Sequence, residues 1–230
     1  MTRSDPRRRL GLAGVFFCLL QLWIASTPVF AQNERRGAAA GDFDFYVLAL
    51  SWSPGFCSVG GGDDKGLDQC RNGSGLGFVV HGLWPQYDRG FPSECSPANR
   101  TPSRIALESA KGVFPDEGLA RYEWRKHGTC SGKSPTDYFA DVRAARDSVV
   151  IPKALVSPPV DQTFAPLDLE RAFAAANPGL RPDMMAVDCR SSTLEEVRIC
   201  FSKDLRSFQT CPEVNRRGCR TRDMKVPAVR

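Results

Sequence analysis

Both histidines of this 230-residue chain lie in short stretches crowded with other reactive groups. In YEWRKHGTC, Tyr122 to Cys130, the residues Glu123, Lys126 and His127 stand at i, i+3 and i+4. A helix there puts a carboxylate, an ammonium and an imidazole on one face within a single turn. That set can accept a proton, hold an anion and tune a histidine. His81 opens the other stretch, HGLWPQY; each histidine is followed by glycine, and Cys95 and Cys130 stand near the two blocks. Two imidazoles brought into one cleft would supply a general acid and a general base.

Other chemistries are poorly served by the same residues. No Gly-x-Ser-x-Gly elbow offers a serine nucleophile, and neither His-Glu-x-x-His nor Cys-x-x-Cys offers a protein metal site, so no metal and no cofactor is expected. Two histidines and a lysine do serve internal phosphoryl transfer on RNA. A base takes the 2′-hydroxyl proton, an acid protonates the leaving 5′ oxygen, and Lys126 supplies positive charge where negative charge develops. RNA carries its own nucleophile, so no covalent enzyme intermediate is needed.

The elements that must hold these groups follow in chain order. FDFYVLALSW, Phe43 to Trp52, is almost wholly apolar and rich in strand formers, so it is expected as a central strand covered on both faces and ended by Ser53-Pro54-Gly55. Residues 56–77 read as a loop in which a local Cys57 to Cys70 bridge would restrain Gly60-Gly61-Gly62. Leu76 to Val80 is expected as a short strand with His81 at its end, Gly82 allowing close backbone approach and Pro85 stopping the strand. Helices are expected at Arg104 to Lys111, at Leu119 to His127 with Gly128 as its stop, at Pro135 to Val150 and at Leu167 to Ala176. In the last turn of its helix, His127 would meet the dipole's negative end, which favours the imidazolium. Pro152 to Pro166 reads as a linker, and Ala186 to Cys189 with Leu194 to Phe201 as a hairpin. Arg216 to Arg230 reads as a basic, solvated end. The sum is an α+β fold, a central antiparallel sheet with packed helices in one disulfide-stabilised domain.

The chain as a whole limits where this chemistry happens. Residues 1–31 follow the pattern of an export signal: Arg3, Arg7, Arg8 and Arg9, then apolar Leu10 to Ala25, then Val29-Phe30-Ala31 for cleavage. The apolar run is short for a bilayer span and breaks at Thr27-Pro28, so the product is expected in the periplasm or secreted, without stable membrane association. Residues 32–42 are expected as a flexible tail and 43–230 as the catalytic domain. The leader's four arginines against one aspartate account for most of the formal +5, so bulk attraction to a polyanion is weak and any steering must be local. Of nine cysteines Cys18 leaves with the leader, and the even remainder in an exported chain reads as disulfides.

In their order and separation, HGLWPQY and YEWRKHGTC resemble the two active-site blocks of the T2 family of secreted ribonucleases, which includes bacterial periplasmic endoribonucleases. The likeness runs from Phe43 to Cys219. It implies an α+β fold and metal-independent cleavage of single-stranded RNA through a 2′,3′-cyclic phosphate to 3′-phosphate ends. A monomer with low base specificity is expected, and the family's base preference is not carried over. Residue by residue, it makes His127 the base and His81 the acid, with Glu123 and Lys126 stabilising the phosphorane. Trp84 matches the family's base-contacting tryptophan. Tyr122 and Gln86 are departures: many members have a phosphate-holding histidine at the first position and a base-pocket aspartate at the second. The resemblance further implies the bridges Cys57 to Cys70, Cys95 to Cys130, and a nested pair, Cys189 to Cys219 around Cys200 to Cys211. The competing class is a secreted protein that binds RNA or a cell surface without turnover, and a cyclic phosphate product separates the two.

Overall fold

Every residue of FYVLALSW is buried, and this segment forms the strand on which the others assemble. The computed structural model describes residues 1–2, 33–60, 68–96 and 99–230; the expected export signal therefore lies outside the described residues apart from Met1 and Thr2. In chain order the elements of the unit Gln32–Arg230 are β1 (Glu34–Arg36), β2 (Phe45–Trp52), α1 (Ser53–Ser58), β3 (Phe78–Gln86), β4 (Phe91–Ser93), α2 (Arg104–Ala110), α3 (Glu117–Lys126), α4 (Pro135–Asp147), β5 (Gln162–Phe164), α5 (Pro166–Ala176), β6 (Met185–Arg190), β7 (Thr193–Ser202), α6 (Pro212–Arg216) and β8 (Met224–Val226). The main sheet runs β3-β2-β7-β8-β5, with β6 also on β7. Its long pairings are antiparallel, as the α+β reading requires.

Period-two alternation sorts the side chains of β2 even though nearly all are apolar. Tyr46, Leu48, Leu50 and Trp52 enter the main core with Tyr138, Phe139 and Val142 of α4 and Phe173 of α5. Phe45 and Val47 face the other way, with Cys200, Cys211 and the partly buried Trp84 and Val214. On β7, Val197, Ile199 and Phe201 join the main core, so Glu196 and Arg198 fall on the face shared with Val47. Helix α4 holds its amphipathic register through Ser134, which caps the N-terminus by accepting from Asp137 N, and through Pro135 in the first turn. Gly55 is required at the start of α1, because a Cβ there would come within 1.7 Å of Leu194 O.

The eight cysteines beyond residue 32 pair as Cys57–Cys70, Cys95–Cys130, Cys189–Cys219 and Cys200–Cys211, the pattern the resemblance implies. Three expectations are corrected. The tail expected to be flexible is held: Glu34–Arg36 pairs in parallel with Phe91–Ser93, and Gly37 N and Gly41 N donate to Ser93 O and Cys130 O. Ser93 Oγ donates to Glu34 Oε1 at 2.6 Å and Arg36 pairs with Glu94, links between segments distant in sequence that a local side-chain pattern does not reveal. The end read as basic and solvated is so only in its charged residues, which are exposed: Met224 and Val226 are fully buried in β8 against β5, and Trp52 Nε1 donates to Pro227 O at 3.1 Å. The strand expected to end at His81 and to be stopped by Pro85 runs on through both to Gln86. Proline fits because β3 is an edge strand, where a missing N–H can face away from the sheet.

Candidate active site

His81 sits at a bulge. Along β2, Ala49 pairs with Gly82 but Leu50 pairs with Val80, so His81 is the extra residue on β3. An extra residue reverses the side-chain alternation of a strand. His81 and Trp84, three apart, would otherwise point to opposite faces; here both line the same cleft, together with Gln86. His81 is thus held by a bulge inside a paired strand rather than at a strand's end.

From the other side, α3 brings Glu123, Lys126 and the residue that caps it, His127. Asp116 caps the start by accepting from Leu119 N at 2.8 Å, and His127 N donates to Glu123 O at 2.9 Å. Glu123 is fully buried and His127 nearly so. The Cys95–Cys130 bridge, Glu94 N donating to Lys126 O at 2.8 Å and Cys95 N donating to Thr129 Oγ1 at 3.2 Å fix the end of α3 to the chain leaving β4.

Trp84 lies close to both imidazoles. Its ring lies 5.2 Å from that of His81, edge-on, and 5.4 Å from that of His127, while its Nε1 donates to Glu123 Oε2 at 2.7 Å. The cleft encloses about 260 Å³ and is lined by His81, Trp84, Gln86, Tyr122, Glu123, Lys126 and His127, so every proposed catalytic and substrate-binding residue reaches one space. Tyr122 is exposed at the rim, its ring 5.7 Å from Lys126 Nζ. Among the described residues Lys126 has no carboxylate within ion-pair distance, leaving its charge available to an anion. Among them, too, no group of three His, Cys, Asp or Glu forms a metal cluster.

The two histidines are held in opposite protonation states. Burial, then the charges of Lys126 and His81, push the His127 pKa well below its ordinary value. The helix-dipole effect expected from sequence, worth about 0.3–1 kcal/mol at a surface, is overridden because an imidazolium there would lose its hydration. For His81 burial also works downward, but Glu196 and Glu123 outweigh it and the opposing Arg198, raising the pKa to about 9. Burial lifts Glu123 to about 7 against the pull of His81 and the Trp84 N–H. Glu123 Oε1 and His127 Nδ1 are buried without a hydrogen-bond partner in the described residues. Such groups cost about 1–3 kcal/mol each, which marks the place as one built for something other than stability.

The sequence reading missed several groups here. Glu196 Oε2 lies 2.6 Å from His81 Nδ1, and Arg198 passes from Glu196 to the Trp84 ring, its Cζ 5.6 Å from the centroid. Phe91, Val47, Glu213, Val214 and Arg217 complete the wall. The one signal available was the Glu-Val-Arg alternation of β7, which sets two charged residues on the face opposite its core residues.

The Ribonuclease T2 family model matches residues 43–211. A curated protein named "Ribonuclease" from Aeromonas hydrophila is 37% identical over 193 residues, covering 81% of this chain and 84% of that protein. Ribonuclease I of Escherichia coli K12 is 27% identical over 206 residues, covering 71% and 77%. Among solved structures, an RNase-related protein from Calystegia sepium superposes with a TM-score of 0.63 at 23% identity, covering 82% of this chain and 98% of that one. A mutant of RNase MC1 in complex with 5′-UMP gives 0.62 at 23% identity, covering 79% and 97%. The chain belongs to the ribonuclease T2 family. It is an endoribonuclease with the α+β fold of that family.

Proposed function

We propose that this enzyme cleaves single-stranded RNA by transphosphorylation, with His127 as base, His81 as acid and no metal. The observation that carries the reading is that two imidazoles line one cleft within reach of Trp84, one buried beside Lys126 and one between two carboxylates. Neutral His127 takes the proton of the 2′-hydroxyl, and O2′ attacks phosphorus, forming the P–O2′ bond. The P–O5′ bond breaks as the His81 imidazolium gives its proton to the leaving oxygen. The products are a 2′,3′-cyclic phosphate and a free 5′-hydroxyl. Water then opens the ring with the two histidines in exchanged roles, leaving a 3′-phosphate.

Lys126 faces the negative charge that develops on the phosphorane. Glu123 accepts from the Trp84 N–H and, through its charge, helps hold the His81 imidazolium, so it tunes the acid while Lys126 meets the charge of the phosphorane. Trp84 presents an indole beside the reacting group, and Gln86 lines the cleft in place of a base-pocket carboxylate, which supports low base specificity. The four disulfides support folding in an oxidising compartment, the periplasm or the exterior, where residues 1–31 would direct the chain. The protein acts as a monomer in this reading, since one chain supplies every group the reaction uses.

The test is a time course with defined single-stranded RNA and matched DNA in excess chelator. Cyclic phosphate ends should appear before any 3′-phosphate, and DNA should remain intact because it lacks the attacking group. RNA bound without cleavage would leave a binding protein instead.

A further inference from the structure

We propose that Glu196 is the positioning residue that orients His81 and sets the direction of the proton relay, by fixing Nδ1 as a donor so that Nε2 carries the proton delivered to the leaving oxygen. This rests on the transphosphorylation reading above. Glu196 Oε2 is 2.6 Å from His81 Nδ1, and the residue is 4% exposed. Its other oxygen, Oε1, accepts from Arg198 Nε at 2.7 Å, and Arg198 Nη2 donates to Asp188 Oδ2 at 2.8 Å. Each carboxylate oxygen thus has its own partner, and the group cannot rotate without breaking one of them.

These residues are held by the sheet. Asp188 and Glu196 are paired across β6 and β7, and β2 separates β7 from β3 with Ala49 in register with both Arg198 and Gly82. Glu196 itself is in register with Ser51, and the small side chains of Ala49 and Ser51 leave room for it to reach across β2 to the bulge at His81. A buried carboxylate needs a cation, and Arg198 satisfies that need by itself. The contact with His81 is therefore an additional use of the group.

The charged and titratable groups facing His81 are Glu196 and Arg198 from β7 and Glu123 from α3, whose Oε1 is 3.7 Å from Nε2; His127 lines the same cleft. Glu196 is held at about 2, because His81 and Arg198 overcome the upward effect of its burial. It stays ionised wherever the enzyme works. Removing its charge leaves only Glu123 to favour the imidazolium.

The experiment compares the full-length mature enzyme with Glu196→Gln and Glu196→Asp on two substrates: a dinucleotide, and a nucleoside 3′-(4-nitrophenyl) phosphate, whose leaving group departs without protonation. Glutamine keeps the shape and can still accept from Nδ1, but it carries no charge. Its loss on the dinucleotide should exceed its loss on the nitrophenyl ester at least about tenfold, from the worth of a positioned acid. The alkaline limb of the dinucleotide profile should move to lower pH, and Glu196→Asp should recover part of both. Equal losses on the two substrates with an unmoved limb would assign Glu196 to sheet stability alone and overturn the proposal. Should the variants fail to fold, ¹⁵N spectra of the wild-type imidazoles decide: a neutral His81 with its proton on Nε2, or one titrating at the free-histidine value, overturns it too. Failure of the wild-type enzyme to release cyclic phosphate would instead remove the underlying reaction.

Discussion

Trp84 and Glu123, one on β3 and the other on α3, are joined by a 2.7 Å hydrogen bond that crosses directly over Gly82. A Cβ at Gly82 would lie 2.1 Å from Glu123 Oε2 and 2.3 Å from Trp84 Nε1. The absence of a side chain at this residue is what lets the strand bearing His81 approach the helix bearing His127. Gly82→Ala should destabilise the protein by roughly 1–3 kcal/mol through overpacking. It should lower turnover at least about tenfold, since small misplacements of reacting groups are costly. Thermal unfolding and turnover measured on the same sample check both, and wild-type turnover in this variant would contradict the geometry described.

The opposed histidine environments fix the pH profile. The base must be neutral: with its pKa held well below 6.5, His127 stays neutral through the neutral range and protonates only in acid, placing the acid limb below 6.5. The acid must be protonated: His81 keeps its proton until the pH rises through about 9, placing the alkaline limb there. The expected kcat/KM profile is a broad plateau rather than a narrow peak, its alkaline side belonging to the coupled His81, Glu196 and Glu123. His81→Ala and His127→Ala should each lower turnover by at least about a hundredfold with a native circular dichroism spectrum. A narrow maximum near the free-histidine value would show that the two imidazoles are not separated in this way.

Much of this site was legible in the sequence, and the part that was not has a physical reason. Glu123, Lys126 and His127 could be grouped because helical spacing is local and α3 keeps it. His81 could be paired with them through chemistry, since no other imidazole exists. Its placement was misjudged, because a bulge is a property of two strands in register and leaves no mark on one of them. Glu196 lies 115 residues from His81, and on β7 it alternates like an ordinary solvent-facing residue. Only the insertion of β2 between β3 and β7 turns that face into the wall of a cleft. The strand β8 was hidden for a related reason: three residues of it suffice, and the charged residues around Met224 and Val226 outweigh them in composition.

Lys126 should act on the transition state rather than on bound RNA. Its ammonium lines the cleft beside the two histidines, where a phosphorane would gather charge. Lys126→Gln should lower kcat on a dinucleotide by at least about tenfold while changing KM little. Glu123→Gln should give a smaller loss. Steady-state kinetics decide, and a change confined to KM would place Lys126 in ground-state binding.

The Cys95–Cys130 bridge should matter to activity beyond its effect on stability, because it joins the chain leaving β4 to the turn that follows His127. Replacing both cysteines by serine should cost about 2–4 kcal/mol of stability, the usual contribution of such a bridge. Turnover should also fall at ambient temperature while the protein is still folded. Replacing Cys189 and Cys219, which lie outside the cleft lining, should lower stability without a matching loss of turnover. Equal kinetic effects from the two pairs would mean that both act through stability alone.

The central claim is that the nucleophile belongs to the substrate and that the two histidines only move its proton and the leaving group's. It is tested most directly with a single-stranded RNA carrying one internal 2′-O-methyl nucleotide, the early products being read by mass spectrometry. The account predicts cleavage at the other linkages, each leaving a 2′,3′-cyclic phosphate, and no cleavage immediately 3′ to the methylated nucleotide. Cleavage at that blocked linkage would show that water or another external nucleophile makes the attack, contradicting the mechanism.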